Sequence, residues 1–296
     1  MLAPFARYRE IVPCEPLRSD VFAFFSFLPG SAETMPAHRV QRDIAFRTPV
    51  ACAPQLADGH VSITFELGHV LDSVGHWRLD PTAVGATVLG PLSGVGRTTR
   101  LELRETVGAT FLPGAAARFF DVPLSELSDT AVAVDDLWGR RSSGLAVRLA
   151  GLTEAGRIAL LESALLARRG HGRHRDRAID VVGLATRVLT AHGRPHVDAM
   201  ARAAGVSRQH LTRVFRDQVG IGPCLYRRLA RFQSLLAYAG CHATPDWARV
   251  AADAGFADQS HMIAECRQFS GLTPRALAEH DWFHPFIERV RPSLRA

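Results

Sequence analysis

The sequence predicts an α+β protein of two domains, with a β-rich N-terminal half and an all-α C-terminal part built on a repeated helix pair. Three observations carry that reading. The chain has 296 residues, well above the roughly 150 of a typical single domain. Short apolar, β-branched runs separated by Gly and Pro recur through the first 112 residues, as strands and turns do. From about Leu124 the apolar period becomes helical and stays so. A hydrophobic fraction of 47% against 22% charge supplies a sizeable core and excludes a disordered chain.

Taken in order, Val21 to Phe27 is an aromatic strand candidate closed by Pro29-Gly30. His60 to Leu67 alternates apolar and polar residues and is expected to stop at Gly68. Ala86 to Leu89, Thr98 to Arg104 and Val107 to Phe111 are further short strands. Together they predict a small barrel or sandwich, with a cupin-like form among the options, over residues 1–150. Gly114 to Phe120 reads as a short helix after Pro113, and Leu124 to Trp138 as helical. Thr153 is placed to cap a helix running to Arg168, with Ile158, Leu161, Ala164 and Leu165 on one face. Like charges and glycines from Arg168 to Arg177 resist packing and mark a linker, so 151–178 is assigned as helix and basic linker. That stretch is either a solvated loop or a basic strap over a phosphate backbone. Residues 179–280 form the helical domain and 281–296 a C-terminal tail.

Charge and missing motifs narrow the function. Lys+Arg is 35 against 29 Asp+Glu, and every one of the 35 is Arg. Arg offers a planar fork of donors suited to phosphates and guanine edges. Between Asp176 and Leu277 there are 13 Arg against 8 acidic residues, which points to nucleic acid as the partner. No apolar run approaches the roughly 18 residues of a membrane span. Met1 to Arg7 lacks the apolar core of a secretory signal. Five scattered cysteines without CxxC spacing fit a reducing cytoplasm. HExxH and GxSxG are absent, and no carboxylate pair stands out, so no enzyme is read here. Gly90, Gly94 and Gly96 precede no GKS or GKT and read as a hairpin turn rather than a phosphate loop. His60, His69, His76 and Glu66 raise the idea of a metal site, but without an HxH pair they read as structural. No cofactor is expected.

The most informative feature is an internal repeat. Ala201-Arg202-Ala203-Ala204-Gly205-Val206 and Ala251-Ala252-Asp253-Ala254-Gly255-Phe256 both read Ala-x-x-Ala-Gly plus an apolar residue. The first continues to Gly220-Ile221-Gly222-Pro223, the second to Gly271-Leu272-Thr273-Pro274. Ser207 and Asp258 stand as N-caps after each turn. Leu211, Val214, Phe215 and Val219 then share one helical face, while Arg208, Gln209, Thr212, Arg213 and Arg216 share the other. That is the layout of a recognition helix, apolar behind and hydrogen-bonding in front. The repeat predicts two helix-turn-helix units.

Residues from about Val197 to Leu277 resemble the twin helix-turn-helix domain of the AraC/XylS transcriptional regulators. The resemblance rests on Met200-Ala201, Gly205 to Leu211, Arg213, Phe215, Gly220, Pro223, Arg231 and Phe232. In the second unit it rests on Trp247, Val250-Ala251, Gly255-Phe256, Asp258 to His261, Gly271, Thr273 and Pro274. A looser match joins the N-terminal half to a sensor domain of one branch, through Leu112 to Ala116, Val122 to Leu127 and Asp135 to Gly139.

The resemblance implies a one-component regulator binding double-stranded DNA across two adjacent major grooves. A connecting helix around Leu225 to Tyr238 would hold the units about one DNA turn apart (~34 Å). It implies Gln209, Thr212 and Arg213 as base readers, with Gln259, Ser260 and His261 as second-unit candidates. RNA polymerase, a small-molecule effector and a second copy of the chain are the further partners it implies. The second unit departs from the family: Ala264 stands where an Arg is common, and Cys266 where a buried Phe is usual. It is therefore expected to read fewer bases and to lean on phosphate contacts, such as one from Arg267. His261 reads either as a packing residue or as a base reader, and Trp247 and Phe256 as core. The rival reading is a cupin-like metalloenzyme or DNA-repair protein fused to such a domain.

Overall fold

The computed structural model describes residues 6–29, 35–46, 57–71, 77–94, 103–139, 144–172, 180–190, 196–239 and 246–278. The calls on His76, on Thr98 to Glu102, on Gly96, on most of the basic linker and on the tail lie outside these residues.

Among the described residues the N-terminal half forms one antiparallel sheet of seven strands. They are β1 (Ala6–Ile11), β2 (Val21–Pro29), β3 (Val40–Phe46), β4 (Ser62–Leu71), β5 (Trp77–Leu89), β6 (Leu103–Phe111) and β7 (Ala131–Ala133). Their order across the sheet is β3-β1-β2-β6-β4-β5-β7. Alternate residues Ile63, Phe65 and Leu67 of β4 and Val107, Ala109 and Phe111 of β6 are buried in one cluster with Phe24 and Val88. Against it pack α1 (Val134–Trp138), α2 (Leu145–Ala150) and α3 (Glu154–Arg168), through Val134, Leu149, Ile158, Leu161 and Leu165. Thr153 caps α3 as expected, its Oγ1 accepting from the Gly156 N–H at 3.2 Å.

Several elements differ from the sequence reading, each for a long-range reason. β4 does not stop at Gly68: the glycine adopts φ +90° and the ladder resumes at His69 after a register shift, as a β-bulge allows. The stretch read as helical from Leu124 begins as a 3-10 turn (Leu124–Glu126) and then becomes β7. Pairing of Ala131 to Ala133 with Leu89 to Thr87 overrides the local helical period. Gly114 to Phe120 contains only a 3-10 turn, Ala116–Arg118. Gly90 is no hairpin tip. It donates to Thr130 O at 3.0 Å, and a Cβ there would overlap the Leu127 carbonyl.

β1 and β3 were not anticipated. β1 carries Arg9 and Glu10, both buried. Arg9 pairs with Glu154 of α3 and, at 3.2 Å, with Asp43 of β3. The start of the basic linker is likewise held by protein acceptors. Arg168 donates to Phe119 O and Leu137 O, and Arg169 to Pro16 O and Asp20.

The C-terminal half holds α4 (Val181–Thr190), α5 (Val197–Ala203), α6 (Arg208–Val219), α7 (Pro223–Ala239), α8 (Trp247–Asp253), α9 (Gln259–Ser270) and α10 (Pro274–Ala278). Its core gathers Leu211, Phe215, Tyr226, Leu229, Phe232, Leu236, Phe256 and Phe269. Ala57, from the segment before β4, belongs to this second core and is fully buried in it. Its N–H lies 3.4 Å from Phe269 O, and Gln233 Nε2 donates to Asp58 O at 2.7 Å. Gly59 follows at φ +67°, its α-carbon facing Leu229, Ile221 and Tyr226. Ser128 Oγ adds a bond to Gly220 O at 2.7 Å. Residues 57–59 thus form a wedge seated in the helical half. Burial pushes the Asp58 carboxyl up to about 7 against hydrogen bonds from the His60 and Leu92 backbone.

Candidate nucleic-acid interface

Each helix pair is built by the same local chemistry. In the first unit Gly205 turns at φ +66°, and Val206 N–H closes on Ala201 O at 3.0 Å. In the second Gly255 turns at φ +75°, and Phe256 N–H closes on Ala251 O at 2.9 Å. A Cβ at either glycine would meet open space, so it is the left-handed backbone that requires glycine there. Ser207 Oγ then accepts from His210 N–H at 3.2 Å, starting α6. Asp258 Oδ1 accepts from His261 N–H at 2.7 Å, starting α9. The turns match at a spacing of 50 residues and the helices at 51, because Ala257 is an extra residue in the second turn.

The front of α6 is exposed at Arg208, Gln209, Arg213 and Arg216, with Thr212 half-buried. Behind it Leu211, Val214, Phe215 and Val219 are buried. Thr212 Oγ1 donates to Arg208 O at 2.8 Å. Arg213 shares a hydrogen bond with His210 Nδ1 at 3.1 Å, and Arg208 lies 3.4 Å from Asp198 on exposed surface. Exposed pairs of this kind are weak and yield readily to a phosphate or base.

The front of α9 carries less. Gln259, Ser260, Ala264 and Arg267 are exposed, and only Arg267 brings a positive charge. His261 is turned inward: its Nδ1 accepts from Ala257 N–H at 3.2 Å, so Nε2 carries the proton and points at Glu265 Oε1, 3.4 Å away. Cys266 is buried in the α9 core face, and burial pushes its thiol up to about 12. Trp247 is half-buried against the core and Phe256 is buried in it.

Between the units runs α7, opened by Pro223 at its first position. Its 17 residues span about 25 Å. Tyr226 packs edge-on against Phe215, with ring centres 5.4 Å apart, and Phe232 against Phe269 at 5.6 Å. The sequence reading missed Glu265, buried on α9 between these elements.

Residues 200–280 match the family described as "Helix-turn-helix domain". This is a helix-turn-helix domain of the AraC type. The chain that carries it is a DNA-binding transcriptional regulator. Residues 9–133 match a family described as a domain of unknown function, DUF6597. No curated protein matches the chain. Among solved structures, the C-terminal domain of AraT, a response regulator from Geobacillus stearothermophilus, is 14% identical at a TM-score of 0.33. That match covers 38% of this chain and 93% of AraT's. ToxT from Vibrio cholerae is 8% identical at a TM-score of 0.39, covering 77% of this chain and 92% of its own. Unsaturated fatty acid bound ToxT from Vibrio cholerae strain SCE256 is 9% identical at 0.37, covering 94% and 95%. Likenesses this remote decide nothing about the AraC-type domain; the matched residues 200–280 do.

Of the four residues first weighed as metal ligands, His60, Glu66 and His69 lie among the described residues. His69 Nδ1 meets Glu105 at 2.5 Å, Glu66 accepts from Arg104 at 2.6 Å, and His60 is buried. Among the described residues no group of three or more His, Cys, Asp and Glu is placed to hold a metal. No described helix is long and apolar enough to cross a membrane.

Proposed function

We propose that this regulator reads an asymmetric double-stranded DNA site across two adjacent major grooves, with most base readout in the first. Arg213, Gln209 and Thr212 read bases from α6, while Ser207, Arg208 and Arg216 contact the backbone. On α9, Gln259 and Ser260 supply the weaker readout, with Asp258 and His261 shaping the helix start and Arg267 on a phosphate. The single observation that supports this is the exposed Arg/Gln front of α6 over a buried Leu211, Val214 and Phe215. Such a face presents bidentate donors to a groove while the core holds the helix rigid.

The domain organisation fits a one-component factor acting in the cytoplasm at the nucleoid, without catalytic activity of its own. Its N-terminal sheet, with α3 packed on it, takes a small effector or mediates pairing with a second copy. The output runs through RNA polymerase. Site selection on random DNA with the full chain tests the reading: two half-motifs, the first richer in information, are expected. An unstructured preference, with no motif recovered, overturns it.

A further inference from the structure

Superposing the two units by sequence sets Glu265 where the first unit has Val214, one residue after the pair Arg213 and Ala264. Both are 3% exposed, yet one is aliphatic and the other a carboxylate. A buried charge of this kind persists only when partnered. Three donors converge on its Oε1: Arg228 Nε at 2.7 Å, Arg231 at 2.8 Å and His261 Nε2 at 3.4 Å. Both arginines lie on α7, one helical turn apart, and each also covers an aromatic ring of the second unit. Arg228 stacks over Phe269 at 5.2 Å and Arg231 over Phe256 at 5.3 Å.

The way each recognition helix is fastened to α7 therefore differs. α6 meets it through apolar burial and the edge-on packing of Phe215 on Tyr226, whose geometric preference is weaker than that of an ion pair. α9 meets it through charge-assisted hydrogen bonds, which fix a distance and an angle. We infer that Glu265 is a positioning residue which, gripped by Arg228 and Arg231, locks α9 to the connecting helix and so sets the half-site separation the protein accepts. The inference rests on the two-groove reading. A residue facing away from DNA then governs how the second half of the site is read. His261 belongs to the same assembly, linking the extra residue Ala257 in the turn to the buried carboxylate. Buried ionic groups that specify register rather than add stability are the best-attested use of such pairs.

Selection by the full chain from a library of two half-sites at varied separations tests this. The unaltered protein is expected to return one preferred separation. Glu265→Gln keeps the side chain's shape and removes its charge. It should recover the same first half-motif with the preference for separation lost. Arg231→Met, removing the partner instead, should do the same, and it decides the matter if Glu265→Gln does not fold. Circular dichroism and thermal unfolding establish which variants are folded; a merely structural role would lower Tm and leave the separation preference alone. A folded variant that keeps the original preference overturns the inference. Recovery of a single half-motif by the unaltered protein overturns the two-groove reading, and this inference with it.

Discussion

In the first helix-turn-helix unit, three arginines stand on the exposed face of a helix whose buried side is wholly apolar but for Gln218. In the second, the exposed face holds one arginine, and the charge has moved inside, to Glu265 and the two α7 arginines it draws in. The backbones are nearly the same, down to the turn glycine, the closing hydrogen bond and the capping oxygen. Shared backbone thus fixes how each helix is presented and leaves open what it says. One unit turns its arginines outward to solvent, while the other holds a buried carboxylate against two arginines of α7.

The largest expected effect falls on the first unit. Arg213→Ala should cost about 1–3 kcal/mol of DNA affinity and relax preference at one or two base pairs of the first half-site. Titration against the selected site and its single-base variants measures both. Information spread equally over both halves by the unaltered protein would break the comparison outright.

Restoring an arginine to the second unit sharpens it. Ala264→Arg should add about 1 kcal/mol, toward the lower end for a bidentate contact because the new side chain must be ordered on binding. The gain should be confined to sites with a guanine in the second half. Comparable tightening on every sequence would mean the new guanidinium meets a phosphate.

The two caps probe what the units share. Ser207→Ala and Asp258→Ala should each lower the stability of the folded protein by about 1 kcal/mol, read from thermal unfolding. Asp258 also sets a negative charge against the positive end of α9, so its loss should be the larger and the more salt-sensitive.

The smallest effect separates contact types. Log affinity should fall linearly with log salt, and Arg216→Ala should flatten that slope by about 0.9 while base preference stays intact. A changed preference at constant slope would move Arg216 to the base readers.

What was legible in the sequence was local. Gly205, Ser207 and the Leu211–Val219 spacing act within a few residues of one another, so pattern reading reached the helix pairs and the exposed face of α6. β1 was not legible, because the partners of its buried Arg9 are distant in sequence, Glu154 by 145 positions. β7 was read as helix because its strand character comes from pairing with Thr87 to Leu89. Glu265 escaped for the same reason: attention to the polar front of α9 says nothing about a carboxylate whose partners sit on another helix.

The wedge at residues 57–59 has a bearing on how this protein comes apart. Ala57 completes the core of the helical half while the strand it leads into completes the sheet. The sheet half cannot melt without taking an apolar plug out of the helical core. Heating should therefore give one calorimetric transition, with van't Hoff and calorimetric enthalpies agreeing, where a pair of beads on a string would give two. A helical fragment cut free after the linker should bind a hydrophobic dye that the whole chain excludes, because the seat of the wedge is left open to water.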